Sequence, residues 1–306
     1  MQQELRHSRS NSRRWSWHAQ RALVGFVYTI PTVAFIGTLF VTPLILVARM
    51  SLSSWPLLGG GGALNFPKNY VSIWNNRLFW PAVAFTVEYT ILATILLIGL
   101  GLGLAMLMQA TSRWVATLRT VFLLPVSLGL AAASLLAFGF FSREIGPIGP
   151  FLQSTGLAPG GIGFLSTPLA ALLSTTFLIV WKFAGFYMLI LLVGLQGVPE
   201  DVYEAVQIDG ASRWQTFRYI TLPLLRPSLG LALILCVTGS LLAFDQFYIL
   251  TKGGPDNSTV TIVQVIYREA FQRQNLGTAA ALSVGLLVVL VLINLVQLRL
   301  LRGTET

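Results

Sequence analysis

Charged residues are scarce in this chain of 306 residues. Asp, Glu, Lys and Arg make up 10% of it, whereas hydrophobic residues make up 55%. An ordinary globular domain has about 25% charged residues, so these charges are too few to cover the surface of a soluble particle of this size. The high apolar content also excludes an intrinsically disordered chain.

Cysteine and histidine are almost absent. The single cysteine, Cys236, excludes a disulfide-rich secreted scaffold. Because His7 and His18 both precede the first apolar segment, no histidine-based site is expected within the membrane. The chain has no phosphate-binding Gly-x-x-x-x-Gly-Lys-Ser/Thr loop, no nucleophile elbow and no His-Glu-x-x-His motif. We therefore expect no catalytic residues, no metal site and no cofactor in this chain, and a polytopic membrane enzyme is disfavoured.

Long apolar stretches dominate what is present. A bilayer core about 30 Å thick requires roughly 20 mostly apolar residues per helix. Two-residue alternation does not persist in these stretches, so a membrane β-barrel is disfavoured and helices are expected. The first stretch is too long for a signal-peptide core and is predicted to be a retained helix. The sequence thus predicts an all-α, polytopic membrane protein with six transmembrane helices, at about 24–50, 83–108, 115–141, 169–195, 228–250 and 279–301.

The distribution of basic residues predicts the orientation. The chain has 20 basic and 11 acidic residues, a net charge of +9. With a cytoplasmic N-terminus, twelve Lys and Arg residues lie on the inner side and seven on the outer side. This bias predicts a multi-pass protein of the cell (inner) membrane with both termini in the cytoplasm, and it explains the net charge without nucleic acid. The expected parts are a tail at 1–23, a transmembrane domain at 24–302 and a tail at 303–306.

The inner loop at 196–226 differs from a simple connection. Pro199 suits the first turn of a helix, and Glu200 and Asp201 suit the electropositive helix N-terminus. Asp209-Gly210 is typical of a helix end followed by a turn, and Pro223 is expected to end the second helix. The loop therefore predicts a short helix–turn–helix at the cytoplasmic face. Two interpretations remain open, an interfacial amphipathic linker and a docking element for a cytoplasmic partner.

A spaced pattern in this loop resembles the signature loop of ABC-importer permeases. The pattern is Glu-Ala-Val, three residues, Gly, nine residues, Ile, one residue, Leu, Pro, with Val206 in place of a second Ala. The Leu-Thr-Lys-Gly-Gly-Pro stretch at 250–255 is similar to the carbohydrate-uptake branch, of the maltose-transporter membrane-subunit type. The resemblance implies a role in ATPase coupling for the matching positions, which are Glu204, Ala205, Asp209, Gly210, Ala211, Ile220, Leu222 and Pro223.

The resemblance also implies the function and the partners. It implies a permease subunit of an ATP-driven importer for a sugar or oligosaccharide that an external solute-binding protein delivers. The implied partners are a second homologous permease subunit and two cytoplasmic ATPase subunits, which would use ATP and Mg. The alternatives are a permease for glycerol 3-phosphate or another polyol phosphate and, less favoured, a stand-alone secondary transporter. The last class usually has internal repeats and broken helices, neither of which the sequence clearly indicates.

Ionisable residues within the predicted spans are candidates for the substrate path, because burying a charge in the membrane is costly. Aromatic rings beside hydrogen-bonding groups suit a sugar, whose apolar C–H face packs on a ring. For Glu88 the alternative is an interfacial side chain, and for Lys182 and Asp245 it is a buried ion pair. The candidates are Phe244, Asp245, Tyr248, Lys182, Gly185, Tyr187 and Glu88.

Overall fold

The computed structural model describes residues 21–22, 24–58, 61–142, 146–155 and 163–302. Within these ranges the chain is helical, and its extended pairings are limited to isolated bridges. Both predicted tails fall largely or wholly outside the described residues. In chain order the helices are α1 (Val24–Ser51), α2 (Lys68–Trp74), α3 (Phe79–Leu107), α4 (Arg113–Ser127), α5 (Leu130–Phe141), α6 (Ile148–Ser154), α7 (Pro168–Gln196), α8 (Glu200–Ile208), α9 (Arg213–Thr216), α10 (Arg226–Leu241), α11 (Asp245–Leu250), α12 (Ile262–Tyr267) and α13 (Leu276–Arg302).

The predicted all-helical membrane architecture is confirmed. Five stretches are long and apolar enough to cross a membrane, and the pair α4–α5 makes a sixth if it is counted as one span. The first stretch, α1, contains a π-helical turn at Gly37–Val41. The remaining four are α3, α7, the α10–α11 stretch (Arg226–Leu250) and α13.

The third span is broken, whereas the sequence predicts a single stretch there and does not clearly indicate a broken helix. Helices α4 and α5 meet at 94° instead of forming one helix over 115–141. Leu128 and Gly129 both have extended backbone angles, with ψ of 139° and 141°, and these two residues turn the chain. A break in a membrane helix is tolerated where other groups satisfy the freed backbone, and the carbonyls at this break have a donor, described below.

The fifth span is also interrupted. Helix α10 ends at Leu241 and α11 begins at Asp245, and Phe244 between them has φ of −138° and ψ of −64°. The carbonyl of Ala243, freed by the break, accepts a hydrogen bond of 2.8 Å from the Thr261 hydroxyl. The backbone at the break is therefore satisfied from a later segment of the chain.

Helix α7 is the central element of the core. Its buried residues line one side against α3 and α10 and another against α4, and Met188 and Leu191 are fully buried. Glycines permit two of these close contacts. A Cβ on Gly101 of α3 would lie 3.0 Å from the Tyr187 side chain, and one on Gly194 would lie 2.3 Å from the Ser228 hydroxyl. Small residues at such contacts let membrane helices approach closely.

Candidate translocation cavity and coupling surface

A cavity of about 360 Å³ lies beside the break in the fifth span. This volume is within the range of about 300–1,000 Å³ that is typical of small-molecule sites. Helices α3, α5, α7, α10 and α11 supply its walls. Its aromatic and polar lining residues are Tyr89, Phe183, Phe186, Tyr187, Cys236, Ser240, Phe244, Asp245 and Gln246.

The break in the fifth span brings polar side chains to the cavity. Asp245 is half-buried in the first turn of α11, and Gln246 beside it is only 3% exposed. The Gln246 side-chain amide donates a hydrogen bond of 3.3 Å to the hydroxyl of the fully buried Tyr89. Neither Gln246 nor Tyr89 is among the sequence-predicted candidates. The sequence does offer a signal for them, because a polar side chain within an apolar span is unusual. An uncharged polar residue is less unusual there than a charged one, so this signal is weaker.

Lys182 and Asp245 do not form the ion pair that is the alternative to a substrate role. Within the described ranges the single ion pair joins Arg273 to Glu269. Lys182 is 2% exposed, and its ammonium donates to the carbonyls of Pro125 and Val126 at 3.2 and 3.3 Å and to that of Leu128. A cation is favourable at the C-terminal end of a helix, where carbonyl groups are left without partners. Lys182 therefore supplies both a hydrogen-bond donor and a positive charge at the break between α4 and α5.

The cavity contains three of the seven predicted substrate-path residues, Phe244, Asp245 and Tyr187. Gly185 lies instead at a helix contact, where a Cβ would approach the Phe122 carbonyl oxygen to 2.0 Å. Glu88 is exposed on α3, whereas the adjacent Tyr89 points into the core. Lys182 lies outside the cavity lining, at the break described above.

Tyr248 lies outside the lining of the cavity, in an aromatic cluster with Phe244, Tyr267 and Phe271. The rings of Phe244 and Tyr248 stack with centroids 5.0 Å apart, and the hydroxyls of Tyr248 and Tyr267 are 3.2 Å apart. Tyr267 in turn contacts Phe271, with centroids 5.1 Å apart. The cluster forms a continuous aromatic surface that begins at the cavity.

The Leu-Thr-Lys-Gly-Gly-Pro stretch forms a tightly bonded loop next to this cluster. Gly253 has φ of +83°, and a Cβ there would lie 2.7 Å from the Arg268 guanidinium. That guanidinium donates to the side chain of Asn257 at 2.7 Å and to the carbonyl of Lys252 at 3.4 Å. Burial and, secondarily, the positive charge of Arg273 lower the pKa of Arg268. Arg268 thus holds the loop, and Gly253 leaves room for it.

The loop at 196–226 has the predicted helix–turn–helix form. In α8, Val202, Tyr203 and Val206 are partly buried, whereas Glu204 is exposed. Gly210 has φ of +70°, a conformation that favours glycine, and it ends the first helix as predicted. Ser212 and Gln215 then form a capping box at the start of α9.

The second half of this loop departs from the prediction in one respect. Pro223 was expected to end the second helix, but a π-helical turn at Phe217–Thr221 and a further turn at Leu222–Leu224 continue it towards α10. Large side chains remain open to solvent here, with Ile208 86%, Trp214 69% and Tyr219 71% exposed. A shallow cavity of about 350 Å³ is lined by Val206, Asp209, Gly210, Ala211, Gln215, Tyr219 and Ile220.

Some positions of the coupling signature line this shallow cavity, and others lie on the helices beside it. Glu204 and Ala205 are exposed on α8, while Asp209, Gly210, Ala211 and Ile220 line the shallow cavity. Leu222 and Pro223 are partly buried in the turn that leads to α10. In the part of the chain that the structure describes, no group of three or more His, Cys, Asp and Glu residues could hold a metal ion.

The sequence matches a known family of membrane transport subunits. A family model described as "Binding-protein-dependent transport system inner membrane component" matches residues 96–305. This match covers more than half of the chain, and the chain therefore belongs to that family. The prediction of an ABC-importer permease is thereby confirmed.

Individual relatives cover most of the chain. The sulfoquinovosyl glycerol transport system permease protein SmoG of Agrobacterium fabrum is 32% identical over 92% of this chain and 92% of its own length. The lactose transport system permease protein LacF of Rhizobium radiobacter is 30% identical over 89% and 92%. The trehalose/maltose transport system permease protein MalF of Thermococcus litoralis is 33% identical over 76% and 78%.

Solved structures support the same fold. A bacterial ABC transporter involved in the import of the acidic polysaccharide alginate matches with a TM-score of 0.84, covering 96% of this chain and all of the matched chain. Its sequence is 22% identical, so the likeness concerns the fold alone.

Proposed function

We propose that this chain is one of two membrane subunits of an ATP-driven importer that takes up a sugar or oligosaccharide from an external binding protein. The observation that carries the proposal is the cavity at the break in the fifth span. There an aromatic ring, Phe244, stands beside hydrogen-bonding groups from Asp245, Gln246 and Tyr89. This combination suits a sugar, which offers both an apolar C–H face and hydroxyl groups.

The relatives favour a sugar over a polyol phosphate. The names of SmoG, LacF and MalF refer to sulfoquinovosyl glycerol, lactose and trehalose or maltose, respectively. All of these compounds are glycosides or sugars. For this chain we therefore assign a sugar or oligosaccharide, delivered in the binding-protein-dependent manner of the family.

The partners and the energy source belong to the same proposal. Two cytoplasmic ATPase subunits would hydrolyse ATP with Mg, a second permease subunit would complete the membrane domain, and both termini would lie in the cytoplasm. The exposed side of α8 would dock into a groove on an ATPase, with Glu204 paired to a basic residue there. Closure of the ATPases would move α8 and switch the cavity between inward-facing and outward-facing states.

Charge reversal at Glu204 tests the docking proposal. We expect Glu204→Lys to abolish co-purification with the ATPase and coupled sugar uptake, because it places a cation opposite a basic partner. Membrane insertion should be unchanged, since Glu204 is exposed and contributes no core contact. The measurements are affinity co-purification from detergent and uptake of labelled sugar.

A second charge reversal serves as the matched control. Arg77→Glu changes the charge by the same amount at an exposed position between α2 and α3, distant in the chain from the docking helix. It should leave co-purification with the ATPase intact. Normal co-purification and normal uptake with Glu204→Lys would refute docking through this side of α8.

A further inference from the structure

The translocation cavity offers hydrogen-bond acceptors that nothing in the described chain satisfies. The Gln246 side chain is 3% exposed, and its amide nitrogen is used by Tyr89. Its carbonyl oxygen, Oε1, has no hydrogen-bond partner among the described residues. A buried acceptor without a donor is unfavourable and calls for an explanation. A ligand hydroxyl in the cavity would supply the missing donor.

The charge that this chain contributes to the cavity lining is negative. Asp245 is the single charged residue in the lining, and no Lys, Arg or His of the described chain contributes to it. The buried cation on the same helix bundle, Lys182, is bound to the backbone carbonyls of the α4–α5 break. Lys252 and Arg268 line a separate cavity, together with Tyr248 and Tyr267 of the aromatic cluster. An anionic group entering the cavity would therefore meet the Asp245 carboxylate without a compensating cation.

We infer that this cavity selects uncharged sugars and rejects acidic ones, with Asp245 as the residue that sets the charge preference. This inference rests on the proposed function as a sugar permease. Asp245 and Gln246 accept hydrogen bonds from ligand hydroxyls, and the aromatic walls pack on the sugar ring. Uronates, sulfonated sugars and sugar phosphates are disfavoured because like charges repel in a partly buried site. This preference is a property of the cavity of this chain and not of the whole family, since the relative SmoG is named for a sulfonated glycoside.

The test compares matched pairs of glycosides that differ only in charge. The probes are methyl glucoside with methyl glucuronide, methyl galactoside with methyl galacturonide, and methyl mannoside with methyl mannuronide. Binding of labelled probes is measured by equilibrium dialysis on the complete transporter assembly in nanodiscs, without the external binding protein. Omitting that protein removes its own selectivity from the measurement.

Wild type should bind the neutral member of at least one pair at least about tenfold more tightly than the acidic member. Asp245→Asn keeps the shape of the side chain and removes its charge, so this ratio should fall towards one. Gln246→Met removes the unpartnered acceptor, and it should weaken binding of both members of a pair by a similar factor. Thermal unfolding of each variant assembly confirms that it remains folded.

Asp256→Asn is the matched control, because it makes the same chemical change at an exposed residue between α11 and α12, and Asn also tolerates the φ of +51° found there. It should leave the ratio unchanged. Equal or tighter binding of the acidic members to wild type, or an unchanged ratio in Asp245→Asn, would overturn the charge preference while leaving a sugar permease in place. Absence of binding by every probe would instead count against a sugar site in this cavity, and with it against both proposals.

Discussion

Lys182 illustrates how the environment of one residue decides its role. A lysine within an apolar span is a candidate for substrate binding or for a buried ion pair. The structure places its ammonium against the carbonyls of Pro125, Val126 and Leu128, at the end of α4. The Pro125 carbonyl also accepts a bond of 3.3 Å from the Leu128 N–H, but the chain turns here and the helical ladder of α4 ends. The lysine supplies a further donor at this point and so stabilises the broken span.

Removal of this ammonium should destabilise the protein. In Lys182→Met the stem of the side chain is retained and the donors are lost, which leaves the partly buried carbonyls of Val126 and Leu128 without the Lys182 donor. Each such group costs about 1–3 kcal/mol, so we expect a clear decrease in the thermal unfolding temperature in detergent. Lys182→Arg retains a cationic donor and should lose less stability. Equal stability of wild type and Lys182→Met would contradict this role.

At the scale of elements, breaks and turns create both candidate surfaces. The interruption between α10 and α11 exposes Phe244 and Asp245 to the cavity, and Thr261 from a later segment satisfies the freed Ala243 carbonyl. The turn at Gly210 sets the angle between α8 and α9 and so shapes the shallow cavity that the loop lines. Each surface thus depends on a short non-helical segment between helices.

The turn between α8 and α9 can be tested by substitution of Gly210. Proline fixes φ near −65° and removes the N–H that donates to the Gln207 carbonyl at 3.1 Å, whereas the native φ is +70°. We therefore expect Gly210→Pro to abolish coupled uptake and ATPase co-purification while membrane insertion persists. The measurements are labelled-sugar uptake and affinity co-purification.

Asparagine tolerates the left-handed conformation better than other residues with a side chain, so Gly210→Asn is the matched control. No atom lies within 4 Å of a Cβ built at this position, so the added side chain has space within this chain. It should retain most of the uptake. Equal uptake by Gly210→Pro and wild type would show that the geometry of this turn is not needed for coupling.

At the scale of the whole molecule, the exposed apolar surface matches a protein in a bilayer. Helix α1 buries little of its surface, and the outer parts of α3 and α13 are also largely exposed. In water such surface would be unfavourable, but in lipid it is the normal state of a membrane helix. The orientation across that bilayer remains a prediction from the distribution of basic residues.

Labelling of single cysteines on the two ends of α3 tests this orientation. Helix α3 has 29 residues and is about 43 Å long at 1.5 Å per residue, so its ends lie on opposite sides of the membrane. In a Cys236→Ala background, Arg77→Cys should react with a membrane-impermeant maleimide applied from outside. Thr111→Cys should react only after the membrane is opened. Both positions are exposed. The reverse pattern would place the termini outside.

Local patterns carried much of the prediction. Apolar segments, the helix–turn–helix at 196–226 and the signature around Glu204 and Gly210 are properties of neighbouring residues, so the sequence alone indicated the class of protein and the form of this loop. The docking role of the loop stays a prediction. Three cavity residues, Phe244, Asp245 and Tyr187, were likewise among the candidates. Placing a residue in the cavity does not establish contact with a sugar, and their role in the substrate path stays a prediction.

Tertiary structure decided what depends on distant partners. Lys182 is 54 residues from the Leu128 carbonyl that it binds, and Gln246 is 157 residues from Tyr89. Hydropathy treats both broken spans as ordinary apolar segments, because the free energy of breaking a helix in lipid depends on whether a remote donor satisfies the freed carbonyls. Sequence thus determined that the chain enters the membrane and where a partner is expected to dock. Only the packing of distant helices determined where the spans break and which polar groups face the cavity.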